Sequence, residues 1–183
     1  MQEFSTLTTA RLSLRRLRPA DLARFAAYRA DPELARYQGW SALSMAEAAD
    51  FIAGMHAAPA FVEEAWLQLA IAQRPGDELV GDIGLCLHAG GVAEIGFTLM
   101  REAQGRGLAT EALRALIEML FARPEVRALI AITDARNHAS MRLLERLGLR
   151  LVHSEAALFK GEACTEHHYR LERAHGLAVK SVP

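Results

Sequence analysis

The pattern of hydrophobic and polar positions predicts one strand and two helices in the first third of the chain. Residues 11–15 alternate with a period of two, which is typical of a strand at the half-buried edge of a sheet. Apolar residues then recur at helical spacing over residues 22–29, and Asp31-Pro32 ends or turns that helix. A second helix begins after Ser44, which forms a capping-box pattern with Glu47. We expect these two helices to overhang one end of a sheet.

The middle of the chain predicts an antiparallel meander followed by a crossover. Strand patterns cover residues 66–72, 79–87 and 92–100, with turn residues between them. An amphipathic helix then runs to Phe121, and a β-branched apolar run at 126–132 predicts a strand buried on both faces. A strand, a helix and a second strand in this order imply a parallel pair joined by a right-handed crossover.

The loop that enters this helix carries two glycines and is a candidate anion site. Gly105 and Gly107 allow unusual backbone dihedrals and close approach of a ligand. The unpaired N–H groups of the helix start, the helix dipole and the charge of Arg106 could converge there on a phosphate. A Walker string is absent from the sequence, and a dinucleotide fingerprint would need glycine or alanine where Thr110 stands. The simpler alternative is a strand-to-helix turn that uses glycine for its geometry.

Length and charge exclude several classes of protein. The 183 residues, 51% of them hydrophobic, fit a single domain spanning 1–183. A net charge of −1 argues against a nucleic-acid binder that relies on phosphate contacts. Apolar runs fall short of the roughly 18 residues of a membrane span, and the polar start lacks a signal-peptide core. We therefore expect a cytoplasmic protein that binds neither nucleic acid nor a membrane.

The cysteines and histidines give no sign of metal or thiol chemistry. Cys86 and Cys164 lie far apart without a Cys-x-x-Cys spacing, which favours ordinary thiols in a reducing cytoplasm. His167 and His168 are adjacent, so on a strand their side chains point to opposite faces and cannot chelate one ion together. No metal site is predicted.

Two motifs resemble those of the GNAT superfamily of acyl-CoA-dependent N-acyltransferases. Gln104, Gly107 and Ala109 match its Gln/Arg-x-x-Gly-x-Gly/Ala signature position by position. The segment from Asn137 to Gly148 resembles its second element, Asn-x-x-Ser followed by a helix and a glycine. Within the superfamily, the chain is most similar to the group that includes the ribosomal-protein N-terminal alanine acetyltransferases, and the likeness covers nearly its whole length.

The resemblance implies the GNAT fold, an α/β (α+β) architecture with a mixed, mostly antiparallel sheet, a parallel βαβ acyl-CoA-binding core and helices on both faces. It also implies acetyl-CoA as co-substrate, with the pantetheine arm lying where the two parallel strands splay apart. The implied cofactor residues are Phe97, Thr98 and Leu99 on the strand, Gln104, Gly105, Arg106, Gly107, Leu108, Ala109 and Thr110 at the loop and helix start, and Asn137. Asn137 could equally cap its helix, or serve both needs.

The implied chemistry is direct transfer of an acetyl group to an amine, which must first lose a proton. Glu94 is the preferred base, although a carboxylate there could instead orient water or pair with an arginine. A backbone N–H within residues 97–99 is the expected oxyanion donor. Many family members protonate the departing thiolate with a tyrosine seven residues after the asparagine, but this chain has Leu144 there. Ser140 is the remaining candidate within the motif, as a hydrogen-bond donor and not as a strong acid, and helix capping is its alternative role.

The acceptor is the least constrained part of the prediction. Tyr37 and Trp40 are candidate walls of the acceptor pocket, while the alternative is that these aromatics pin their loop to the core. The resemblance favours a protein N-terminal α-amino group as acceptor. A small amine such as an antibiotic or polyamine, and a non-catalytic domain that senses acyl-CoA, are the alternatives. A last strand is predicted around residues 168–171, and a homodimer through the exposed strands near the end of the chain is left open.

Overall fold

The structure, a computed structural model, describes residues 4–173. Its strands are β1 (Leu7–Thr8), β2 (Leu12–Arg16), β3 (Leu67–Gln73), β4 (Glu78–His88), β5 (Val92–Leu99), β6 (Ala128–Asp134), β7 (Arg150–Phe159) and β8 (Glu162–Glu172). Its helices are α1 (Leu22–Arg29), α2 (Pro32–Ala35), α3 (Met45–Ala57), α4 (Leu108–Ala122) and α5 (His138–Arg146). Among the described residues, no helix is long and apolar enough to span a membrane.

The strands of the described region form one eight-stranded sheet in the order β1-β2-β3-β4-β5-β6-β8-β7. Neighbouring strands are antiparallel except for β5 and β6, which are parallel. Helix α4 makes the crossover between these two strands, and its buried stripe of Leu113, Leu116 and Leu120 joins the central core. The mixed sheet and its parallel pair confirm the predicted fold class.

The parallel pair separates soon after it forms. Its register contains Val92 opposite Ala128, Ala93 opposite Leu129 and Glu94 opposite Ile130. Within the described strands the pairing ends there, although β5 continues to Leu99 and β6 to Asp134. Each strand keeps its antiparallel partner on the other side, because β4 pairs with β5 as far as Leu99 and β8 pairs with β6 as far as Asp134. A gap therefore opens between the carboxyl halves of β5 and β6, which is the splay that the resemblance implied.

Four details differ from the sequence predictions. A short strand, β1, precedes the predicted first strand, and β7 was not predicted at all. Helix α1 ends at Arg29, just before Asp31-Pro32 as predicted, but Pro32 also occupies the first turn of an additional helix, α2. The N-cap of α2, Asp31, accepts hydrogen bonds from the N–H groups of Glu33 and Leu34. The strand predicted at 126–132 runs from Ala128 to Asp134, and its Ile132 is 40% exposed instead of buried on both faces.

Candidate active site

The start of α4 presents backbone donors to the gap between β5 and β6. Gly107 is the N-cap residue, with φ 76° and ψ 6° in the left-handed region, and as a glycine it has no side chain with which to cap the helix. Gly105 also has a positive φ, 71°. Because the first N–H groups of a helix have no intrahelical partner, those of Leu108, Ala109 and Thr110 are open to a ligand. The loop can therefore hold an anion at the positive end of the helix dipole.

Glu111 ties this helix start to the N-terminal hairpin. It accepts hydrogen bonds from Thr9 Oγ1 at 2.6 Å and from the Arg11 backbone N–H at 2.9 Å, and it pairs with Arg11 Nε at 2.6 Å. Burial alone would raise the pKa of Glu111, but the bonds from Thr9 and Arg11 outweigh it and lower the pKa. Arg11 also donates from Nη1 to the Arg106 carbonyl at 2.9 Å. Sequence reasoning missed this role of Arg11, whose partner lies about a hundred residues away.

A cleft of about 780 Å³ extends from the α4 start along the open edge of β5. Met100 N–H bonds Val80 O on β4, so by strand alternation the backbone groups of Phe97 and Leu99 point away from β4, towards the gap. Their carbonyls accept side-chain amide hydrogens instead of strand bonds, from Gln38 Nε2 at 3.3 Å and Gln104 Nε2 at 2.9 Å respectively. The N–H groups of Phe97 and Leu99 face the gap beside these carbonyls.

Gln104 has a positioning role that the motif did not reveal. Its bond to the Leu99 carbonyl joins the loop to the strand that it leaves, while the residue itself lines the cleft. Gln38 makes the corresponding contact from the segment after α2. The two amides therefore tie the segment after α2 and the loop before α4 to the gap-facing edge of β5.

Three arginines give the cleft a positive wall that sequence reasoning also missed. Arg101, Arg142 and Arg146 line it, the last two lying four residues apart and so on one face of α5. Arg101 pairs with Asp31 through Nη2 and Oδ1 at 2.7 Å, and this bond lowers the pKa of the Asp31 carboxyl to about 2. The spacing of Arg142 and Arg146 was visible in the sequence, but only the fold shows that it faces the cleft.

Asn137 and Ser140 lie together at the start of α5. Asn137 is the N-cap residue, and its Oδ1 accepts the Ser140 backbone N–H at 3.2 Å. Both residues line the cleft. The capping role of Asn137 is therefore present, and its side-chain amide nitrogen is a separate donor that remains available to a ligand.

Glu94 lies at the last paired position before β5 and β6 separate, opposite Ile130 on β6 and Cys86 on β4. Its Oε2 is 2.7 Å from Nε2 of His88, whose Nδ1 is 2.9 Å from Oε2 of Glu64. The bonds to Glu64 and Glu94 raise the pKa of His88 above its usual value. Burial raises the pKa of the Cys86 thiol, which therefore stays protonated and unreactive.

The two aromatic residues predicted to contact the acceptor, Tyr37 and Trp40, lie in the loop after α2 but in different surroundings. Tyr37 and Gln38 line both the large cleft and a second cleft of about 270 Å³, which also reaches Ile132, Cys164 and Glu166. Trp40 lies instead over the Arg29 guanidinium, 4.4 Å from its centre, and its carbonyl accepts Lys160 Nζ at 2.8 Å. Trp40 thus contacts α1 and the turn between β7 and β8.

The fold brings most of the predicted residues to one place. The large cleft is lined by Tyr37, Phe97, Thr98, Leu99, Gln104, Gly105, Gly107, Leu108, Ala109, Thr110, Asn137 and Ser140. Arg106 is exposed beside the cleft and contributes its carbonyl to Arg11. Glu94 and Trp40 are outside the lining of both clefts. The predicted roles of these residues stay predictions.

Known acetyltransferases share the sequence pattern and the fold of this chain. The family profile described as "Acetyltransferase (GNAT) domain" matches residues 11–150. Uncharacterized N-acetyltransferase p20 from Bacillus licheniformis is 29% identical over 150 residues, which cover 80% of this chain and 83% of that protein. A GNAT-family acetyltransferase from Bacillus anthracis superposes with a TM-score of 0.82 and 19% identity, covering 92% of this chain and 99% of the other.

A further solved structure is RimL, a ribosomal L7/L12 alpha-N-protein acetyltransferase in complex with coenzyme A. It superposes with a TM-score of 0.79 and 18% identity, covering 92% of this chain and 98% of the other. At this identity the likeness concerns the fold alone. The family match over most of the chain, together with the splayed strands and the glycine loop, establishes that this protein is an acyltransferase and belongs to the GNAT acetyltransferase family.

Proposed function

We propose that the protein transfers the acetyl group of acetyl-CoA directly to the α-amino group at a protein or peptide N-terminus. The observation that carries the proposal is the fork between β5 and β6, which has the anion-binding start of α4 at its open end and Glu94 at its closed end. One ligand can span this fork, with its phosphates at the start of α4 and its thioester near Glu94. The acceptor then approaches the thioester across the sheet.

The cleft fits the chemistry of coenzyme A in three respects. Open N–H groups at the start of α4 suit the pyrophosphate, and Arg142 and Arg146 supply positive charge for further phosphate oxygens. The backbone edge at Phe97 and Leu99 can pair with the amides of the pantetheine arm, as an added strand would. Coenzyme A is also the ligand in the RimL complex.

The reaction needs an uncharged amine and a stabilised oxyanion. In the proposed step the amine loses a proton to Glu94, directly or through water, and its nitrogen then attacks the thioester carbon. The gap-facing N–H of Phe97 or Leu99 donates to the carbonyl oxygen as it becomes negative. When the tetrahedral intermediate collapses, the C–S bond breaks, and Ser140 donates a hydrogen bond to the departing thiolate. The second proton that the amine nitrogen loses then neutralises the thiolate.

An α-amino acceptor fits this site better than a lysine. A lysine ammonium has a reference pKa of about 10.4, whereas an α-amino group has about 7.7–8.0 and loses its proton far more readily at neutral pH. Ile132 is 40% exposed on β6 beyond the fork, so residues that follow an N-terminus have open surface to contact. The structural neighbours include an alpha-N-protein acetyltransferase.

A small amine is the second candidate, and the smaller cleft favours it. At about 270 Å³, with Asp134 and Glu166 in its lining, this cleft has the size and charge for a compact cation. Asp134, however, is already paired with Arg136 at 2.6 Å, and this bond lowers the pKa of the Asp134 carboxyl. Much of the apparent acidity of the cleft is therefore neutralised.

The test is an acceptor screen with purified protein and acetyl-CoA. Peptides that differ only in their first residue, the same peptides with a blocked N-terminus and an internal lysine, and a panel of polyamines and aminoglycosides would be compared by thiol release and mass spectrometry. We expect acetylation at free N-termini and little at blocked peptides. Transfer confined to small amines would replace the proposed acceptor, and acetyl-CoA binding without any thiol release would favour a sensor.

A further inference from the structure

Glu94 is one end of a chain of three ionisable side chains. His88, at the end of β4, has Nε2 2.7 Å from Glu94 Oε2 and Nδ1 2.9 Å from Glu64 Oε2. Glu64 comes from the segment between α3 and β3, and its Oε1 also accepts the Ala89 backbone N–H at 3.1 Å. The exposed fraction of the side chain falls from 62% at Glu64 to 30% at His88 and 20% at Glu94. This row of three side chains therefore runs from solvent to the fork.

The protonation state of His88 follows from its partners. An ionised carboxylate only accepts hydrogen bonds, so each ring nitrogen can bond its carboxylate only by carrying a hydrogen. Both bonds exist together only when His88 is an imidazolium. The bonds to Glu64 and Glu94 raise the pKa of His88, which agrees with this state. Among the described residues, the Cys86 thiol is a further titratable group beside Glu64 and His88.

The segment that carries Glu64 is held firmly against β4. Glu64 has a φ of 58°, in the left-handed region that is uncommon for residues other than glycine. Its backbone N–H bonds Leu87 O at 2.7 Å, and Glu63 forms a bridge with Leu87. Glu64 is thereby fixed at the position from which its carboxylate reaches His88, which in turn fixes the rotamer of the imidazole.

We propose that His88, oriented by Glu64, is a positioning residue for the proton-transfer step, holding Glu94 Oε2 so that Oε1 faces the acceptor amine. This inference rests on the proposed function, because it assigns Glu94 as the proton acceptor. In the step itself an N–H bond of the acceptor ammonium breaks, and its proton forms an O–H bond on Glu94, directly or through water. The proton later leaves to solvent, and His88 keeps both of its own hydrogens throughout.

Substituting His88 by asparagine or by glutamine tests its two hydrogen bonds one at a time, because each substitution can keep only one of them. The amide nitrogen of asparagine lies near the place of Nδ1 and can donate to Glu64, whereas that of glutamine lies near Nε2 and can donate to Glu94. Since loss of orientation at a reacting group can cost on the order of 10²-fold, His88→Asn should lower kcat by about 10- to 100-fold. His88→Gln should retain most of the kcat. The KM for acetyl-CoA should be unchanged in both, and His153→Asn on the exposed strand β7 is the matched control.

The double variant tests whether His88 acts through Glu94. If it does, Glu94→Gln together with His88→Asn should be no slower than Glu94→Gln alone. Additive losses, equal losses in His88→Asn and His88→Gln, or a normal rate in His88→Asn would each overturn the proposal. Activity that vanishes on treatment with a chelator would overturn it as well, because Glu64, Cys86 and His88 have ligand atoms within 4.8 Å of one another and would then be holding a metal.

A readout without turnover keeps the inference separate from the proposed function. In ¹H–¹⁵N spectra of the wild type at pH 7, the His88 ring should show two N–H groups, each in a hydrogen bond. The variant Glu64→Gln should have a lower pKa of His88 than the wild type. A ring with a single N–H would overturn the inference even if the acceptor were still unknown. If the wild type transfers acetyl to no amine while the spectra are as expected, the assigned reaction fails and the positioning role fails with it. Thermal melts of every variant exclude unfolding as the cause.

Discussion

Replacing Gly107 by alanine tests whether the loop before α4 holds the phosphates of the cofactor. A Cβ built on Gly107 would have Arg11 Nη2 at 3.6 Å as its neighbour, an ordinary contact, so protein crowding is not the obstacle. The cost to the fold comes from φ 76°, because a left-handed conformation costs an L-residue about 1–2 kcal/mol. For a chain of this length, that corresponds to a fall in Tm of roughly 2–8 °C.

The effect on the ligand is separate, because a methyl group on the N-cap residue would crowd a phosphate bound against the first N–H groups of α4. Displacing one charge-assisted hydrogen bond of about 1.5–3 kcal/mol would weaken coenzyme A binding by about 10- to 100-fold. Gly90→Ala is the matched control, since Gly90 has φ 80° and its Cβ would meet nothing within 4 Å, but it lies in the turn between β4 and β5. Calorimetry and thermal melts should show similar stability losses in both variants and an affinity loss in Gly107→Ala. Equal affinities in the two folded variants would refute the assignment of the loop.

Four further outcomes follow from named contacts. Glu94→Gln should lower kcat by about 10²–10⁴-fold with unchanged acetyl-CoA affinity, and a normal kcat with a raised acceptor KM would instead indicate ground-state binding. Arg142→Ala should weaken coenzyme A binding and make it less sensitive to salt in calorimetric titrations, whereas Arg150→Ala on β7 should not. Asp82→Ala, which leaves the buried Arg29 without its partner, should cost about 3–5 kcal/mol in denaturant unfolding. The pKa of Asp31 is lowered to about 2, whereas in the unfolded chain it is about 4. The ion pair with Arg101 should therefore be complete above about pH 4 and be lost as the pH falls towards 2, and an NMR titration midpoint near pH 4 would contradict this.

The order of strands and helices was predictable because its signals are local. The alternation at residues 92–100, the glycines at 105 and 107 and the helical stripe from Leu108 each reflect backbone preferences that act over a few residues. The same locality explains what was missed. Strand β7 is exposed along most of its length, so it lacks the alternation of buried and exposed positions that reveals a half-buried strand.

Contacts between distant segments could not be derived from the sequence. Arg11 reaches Glu111 across about a hundred residues, and Gln38 reaches the Phe97 carbonyl across 59 positions. Neither residue stands out in the sequence, since an arginine just before a strand and a glutamine in a loop are ordinary surface residues. The Glu64–His88–Glu94 chain is hidden for the same reason, because it joins a loop to the ends of two strands.

The geometry of the fork also bears on how the proton reaches Glu94. Phe97 lies three positions after Glu94, which is about 10 Å along an extended strand, and successive side chains alternate between the faces of the sheet. A hydrogen bond spans about 3 Å, so an amine that attacks a carbonyl polarised by the Phe97 N–H is too far from Glu94 for one bond, even with the carboxylate extended towards it. At least one water molecule should then bridge the amine and Glu94. Such a bridge makes the rate sensitive to the direction of the Glu94 carboxylate, which is the direction that His88 fixes.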